Sequence, residues 1–127
     1  VSEPIDADTL GVAKVAVDAA EDKQGQNTIV LDVGDVLAIT RLFVVTSATN
    51  QRQLRTIAGE VSEKVRTECG RSPRHSEGAG EDQWILLDYG DVVVHVFAEE
   101  ARRFYEIERL YRDVPVVDVE GLPSPRQ

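Results

Sequence analysis

The chain has 127 residues, about one domain's worth, and a chain of this size buries roughly two thirds of its unfolded surface. Hydrophobic residues make up 42% and charged residues 29%, a balance that excludes a disordered chain. The formal charge of −9 argues against a nucleic-acid binder that works by neutralising phosphates and favours a basic partner, approached under electrostatic steering.

No apolar run approaches the ~20 residues that cross a bilayer, so no membrane partner is expected. Val1 to Asp8 has neither a basic start nor an apolar stretch, so no signal peptide is expected there. A lone cysteine, Cys69, cannot form an internal disulfide, which fits the reducing cytoplasm. Charge is uneven. Residues 1–36 and 77–91 are acidic and bracket a mildly basic stretch over 37–76.

Asp8 is a plausible N-cap for a first helix, in which Leu10, Ala13, Val17 and Ala20 recur at helical spacing and which Gly25 ends. Thr28 to Asp32 is a β-branched run without polar alternation, as in a strand buried on both faces, and Leu42 to Thr46 is a second of the same kind. Asn50 with Gln53 resembles a capping box for a second helix, whose apolar face is Leu54, Ile57, Ala58, Val61 and Val65 and which stops at Gly70. Arg71 to Asp82 reads as a loop or ragged edge strand. Strands over Trp84 to Leu87 and Val92 to Phe97 follow, joined by Asp88-Tyr89-Gly90-Asp91. A last helix starts at Glu99 and Glu100, carries Arg109 and Arg112 toward its end, and is closed by Pro115. Residues 116–119 suit a short strand, and 121–127 a loose tail. Buried strands alternating with helices predict an α/β structure, a mixed β-sheet flanked by helices. Residues 1–114 form one domain, and 115–127 are a C-terminal strand or loose tail.

The aspartates Asp32, Asp35, Asp88 and Asp91 lie in pairs at strand ends, where α/β proteins place chemistry. Together they could hold a magnesium ion for a nucleotidyltransferase or phosphohydrolase. Asp is also a good turn residue beside Gly, and no Gly-rich phosphate loop accompanies these four, which favours the turn reading. His75 and His95 have neither the mutual spacing nor the cysteines of a zinc site, and His95 inside an apolar strand suits a hydrogen-bonded structural role. Cys69 falls at the wrong end of its helix to be a reactive thiolate. Arg52, Arg55, Arg71 and Arg74 could touch RNA phosphates, but on an acidic chain a solvated surface is favoured. A two-residue turn at Tyr89-Gly90 places Trp84 opposite His95, Leu86 opposite Val93 and Asp88 opposite Asp91, with all of these and Phe97 on one face. Trp84 on such a face is either core or an interface anchor.

Two stretches, Trp84-Ile85-Leu86-Leu87-Asp88-Tyr89-Gly90-Asp91-Val92-Val93-Val94-His95-Val96-Phe97 and Arg103-Phe104-Tyr105-Glu106-Ile107-Glu108-Arg109-Leu110-Tyr111, resemble the ribosomal silencing factor family, also called Iojap-like. Ile29 to Val33, Phe43 to Ser47 and Glu77-Gly78 match the same pattern, so the resemblance covers roughly residues 8–114. Tyr111 stands where the family often has Trp. The resemblance implies a fold similar to nucleotidyltransferases without their chemistry, hence no enzyme, no catalytic residues, no metal and no cofactor. It further implies binding to the protein numbered fourteen of the large ribosomal subunit, a block on joining of the small subunit, and lowered translation when nutrients are scarce. Members often form a homodimer when free, through the surface used on the ribosome. On that basis the expected partner-binding residues are Trp84, Asp88, Tyr89, Asp91, Val93, His95, Phe97, Arg103 and Tyr105, with little direct nucleic-acid contact.

Overall fold

A computed structural model of the protein describes residues 3–78, 83–120 and 122. The chain order is α1 (Ala7–Asp22), β1 (Gln26–Asp32), β2 (Leu42–Ala48), α2 (Gln51–Cys69), β3 (His75–Glu77), β4 (Trp84–Asp88), β5 (Val92–Ala98), α3 (Glu99–Tyr105) and α4 (Ile107–Leu110). The five strands form one mixed sheet in the order β1-β2-β5-β4-β3. Only β2 and β5 run parallel; the other neighbours are antiparallel. The expected α/β class and the antiparallel hairpin with a parallel crossover are both present.

Side chains alternate along a strand, so the sheet has two unlike faces. Val30, Leu42, Val44, Ile85, Leu87, Val92, Val94 and Val96 point one way and pack under α1 and α2. The sequence favours this cover because Val12, Ala13, Ala16 and Ala20 keep one side of α1 small and apolar, while Leu54, Ile57, Val61 and Val65 form a matching stripe on α2. Leu31, Phe43, Val45, Val93 and Phe97 point the other way and meet Ala101 and Ile107 of α3 and α4.

Both ends of α2 follow the expected signals. Asn50 accepts a hydrogen bond from Gln53 N at 2.8 Å, and Gly70 closes the helix at φ +68°, where a left-handed residue is needed. The reciprocal half of the box is displaced by one residue: the Gln53 side chain accepts from Thr49 N at 2.7 Å.

Four local expectations are corrected. α1 has Asp6 rather than Asp8 at its N-cap position, with no side-chain capping bond, and ends at Asp22 with Lys23 as its C-cap, before Gly25. Gly25 is required for another reason, since a Cβ there would meet Thr46 Oγ1 at 2.5 Å, so this glycine admits the close approach of β1. β1 is an edge strand, and only its last three residues are buried. The last helix is two short ones, because Glu106 takes φ +48° between them. A left-handed non-glycine residue costs about 1–2 kcal/mol, but the break sinks Ile107 into the core at 6% exposure, worth about 1.5–3 kcal/mol. Residues 116–119 add no strand, only a bridge from Val116 to Leu31. The edge strand expected within Arg71 to Asp82 is β3; residues 79–82, 121 and 123–127, with most of the expected loose tail, lie outside the described residues.

Candidate functional site

The hairpin of β4 and β5 turns one residue later than the sequence suggests. Its central residues are Gly90-Asp91, with Gly90 at φ +93° and Tyr89 N donating to Val92 O at 2.8 Å. Every cross-strand partner therefore moves by two positions, so Trp84 lies opposite Phe97 and His95 opposite Leu86. Because the side-chain period is also two, Trp84, Leu86, Asp88, Val93, His95 and Phe97 keep the common face that the sequence assigns them.

Tyr89 and Asp91 do not join that face. Tyr89 is 4% exposed within the aliphatic cluster under the long helices. Asp91 is turned toward α1, accepting from Thr9 at 2.6 Å and from Arg71 at 2.6 and 3.1 Å. Burial pushes its carboxyl up, but the bonds from Arg71 and Thr9 prevail and hold it below the usual range.

On the other face stands a run of aromatic rings. Phe97 is fully buried and stacks on Trp84, with centroids 4.7 Å apart and planes 27° apart. Tyr105 lies 5.2 Å from Trp84, and Phe104 meets Tyr105 edge-on at 5.1 Å. On the other side His95 lies 5.7 Å from Trp84, Phe43 lies 4.5 Å from His95, and Tyr111 lies 5.3 Å from Phe43. Trp84 Nε1–H donates to His95 Nδ1 at 3.1 Å. Burial depresses the His95 pKa to about 4, so the ring is neutral near pH 7.

Exposure sorts these rings into a floor and a rim. Val93, His95 and Phe97 are buried and form the floor; Trp84 is half-buried. Tyr105 is 50% exposed and Phe104 79%, on the same short helix as exposed Arg103. Phe104, Tyr111 and the buried Phe43 are the members that the sequence reading does not select. Phe104 adjoins Tyr105 in sequence, but its exposure follows from the helix break, which periodicity does not reveal.

The carboxylates considered for a metal are drawn to separate partners. Arg41 makes a two-pronged ion pair with buried Asp32 at 2.8 and 3.0 Å and holds its carboxyl below the usual range, against the opposing effect of burial. Asp88 accepts from Gly90 N at 2.7 Å and lies 3.4 Å from Arg74. Thus Arg71 and Arg74, expected as solvated loop residues, each carry an ion pair. Among the described residues no three His, Cys, Asp or Glu side chains converge as a metal site would require. A cleft of about 560 Å³ beside the helix break is lined by both signs of charge, and its buried Arg102 is held by Ser47 at 2.7 Å and Glu108 at 3.0 Å.

A family model described as "Ribosomal silencing factor during starvation" matches residues 6–127. The chain belongs to the ribosomal silencing factor family. It is similar to Ribosomal silencing factor RsfS of Halalkalibacterium halodurans, 35% identical across 87% of this chain and 94% of that one. It is also similar to the maize chloroplastic protein Iojap, 31% identical across 90% of this chain and 49% of that one. A crystal structure of a Chromobacterium violaceum protein superposes with a TM-score of 0.76 at 32% identity, over 91% of this chain and 96% of that one. The silencing-factor relatives carry a regulatory name rather than that of an enzyme. No helix among the described residues is long and apolar enough to cross a membrane.

Proposed function

We propose that this chain represses translation in the cytoplasm by docking its aromatic face on the large ribosomal subunit, so that the small subunit cannot join. The partner in this reading is a basic ribosomal protein of the intersubunit face, the one numbered fourteen. The observation that carries it is the half-buried Trp84, set on buried Phe97 beside a rim of Tyr105 and Phe104 that is 50% and 79% exposed. An apolar centre with a charged rim is the anatomy of a protein interface, and tryptophan is a favoured anchor. Residues 1–114 act as the ribosome-binding unit. Arg103, Tyr105 and Asp88 belong to its rim.

The net charge of −9 favours a basic partner by steering its approach. Trp84, Tyr105 and Phe104 also suit pairing of two free chains, so homodimerisation and ribosome binding compete for one face. The Asp32, Asp35, Asp88 and Asp91 alternative, a metal-dependent transferase or phosphohydrolase, is less well supported, because Asp32, Asp88 and Asp91 each have an arginine partner. The testing experiment mixes purified ribosomal subunits with this protein in the absence of nucleotide and follows the fraction of whole ribosomes. Docking by occlusion predicts a fall that saturates with protein. Undiminished joining at saturating protein contradicts it.

A further inference from the structure

His95 is 4% exposed, so it has almost no surface of its own to offer a partner. One ring nitrogen is nevertheless in use: Nδ1 accepts the indole N–H of Trp84 at 3.1 Å, diagonally across the β4–β5 ladder. Since Nδ1 accepts, the proton of the neutral ring sits on Nε2. Nε2 is buried and has no hydrogen-bond partner among the described residues. Leaving a buried N–H unpaired is costly, and a phenylalanine between Phe43 and Phe97 would fill the space without that cost. What histidine adds over an apolar ring is the acceptor at Nδ1.

We infer that His95 is a positioning residue: through Nδ1 it holds the Trp84 indole flat on Phe97, ready to dock, and leaves Trp84 no free donor to present. This rests on the docking role proposed above. The consequence for recognition is specific. With Nε1–H committed inside the protein, Trp84 meets its partner through ring carbons alone. The matching group is therefore an aliphatic side chain or a cation lying over the ring, not a hydrogen-bond acceptor. Fixing the indole beforehand removes the ordering cost that a free side chain would incur on binding. Burial keeps the ring neutral down to about pH 4, so the acceptor is available under ordinary conditions.

Trp84 is the only tryptophan, so its indole N–H gives a single resonance in the intact labelled chain. Measured on the wild type, the inference expects a scalar coupling across the Nε1–H···Nδ1 bond and solvent exchange of the indole proton slowed about fivefold or more. Exchange at the rate of an exposed indole, without coupling, overturns it and requires no variant. Two substitutions extend the test to binding. His95→Phe keeps a ring and loses the acceptor, and should free the indole proton and weaken binding to isolated large subunits about fivefold. His95→Asn loses the ring but keeps an acceptor near the Nδ1 position, and should retain slow exchange and most of the binding. Full affinity in His95→Phe with a freely exchanging indole overturns the inference. If His95→Phe does not fold, the wild-type coupling and the His95→Asn exchange rate decide it. Failure of the wild type itself to bind large subunits overturns the docking role, and this is separable from the coupling, which is read on the free protein.

Discussion

The two faces of the sheet use the same strands for different ends. Under α1 and α2, helices of 16 and 19 residues, the side chains are aliphatic and the cover is complete. Under α3 and α4, of 7 and 4 residues, the rings of Phe43, Phe97 and Trp84 stand among the aliphatic side chains and the cover is partial. Long helices can close an aliphatic face, because Val, Leu and Ala interdigitate with little surface left over. Short helices over bulky rings cannot, and apolar surface stays open at Tyr105, Phe104 and Leu110, with Trp84 half-buried beside Tyr105. One face holds the fold together, and the other keeps apolar area in reserve.

Substitutions that act on one face alone sharpen this contrast. Leu54, fully buried under the sheet on α2, should be the most costly to truncate. Leu54→Ala is expected to lose about 2–5 kcal/mol in denaturant unfolding, while the folded fraction binds ribosomes as before. Weakened binding by fully folded Leu54→Ala protein would break the division of labour.

The next effect belongs to the aromatic face and is read by pH. The native state keeps His95 neutral down to about pH 4, whereas the unfolded chain takes up the proton near 6.5. Between those values the unfolded state binds more protons, so stability falls as pH drops through the window, by about 3 kcal/mol in all. The contributions of Asp32 and Asp91 lie lower, because their depressed pKa values preserve stability above 3.8 and lose it only on further acidification. A stability curve of His95→Phe should be flatter between pH 6.5 and 4 than that of the wild type. Equal slopes would remove His95 from the account.

The smallest effect concerns the cap of α2. Asn50→Ala removes the acceptor for Gln53 N and should cost about 1 kcal/mol in thermal unfolding, with no change in ribosome affinity once corrected for folding. A loss of affinity there would mean that the helical face contacts the ribosome as well.

Particular residues show how far the sequence reached. Helix α2 was readable at both ends, because Asn50 and Gly70 act locally through one hydrogen bond and one left-handed residue. The face shared by Trp84, His95 and Phe97 was readable from alternation alone, which survives a two-position shift in pairing. The turn was not, since both Tyr89-Gly90 and Gly90-Asp91 place a glycine centrally, and the choice falls to burial of the Tyr89 ring in the aliphatic core. The destinations of Asp91 and Asp32 were also hidden. Arg71 lies 20 residues from Asp91 and Thr9 lies 82 away, and such pairings depend on the finished fold. The break at Glu106 was missed because helix propensity carries no trace of Ile107 being drawn inward.

The docking proposed for the incompletely covered face hangs on its anchor, Trp84. Co-sedimentation of wild-type and Trp84→Ala protein with isolated large subunits, alongside melting curves of both, tests it most directly. Trp84→Ala is expected to lose about 2 kcal/mol in binding, roughly thirtyfold in affinity, while staying folded with a largely preserved melting temperature. Folded Trp84→Ala protein that sediments with large subunits as tightly as the wild type would contradict it.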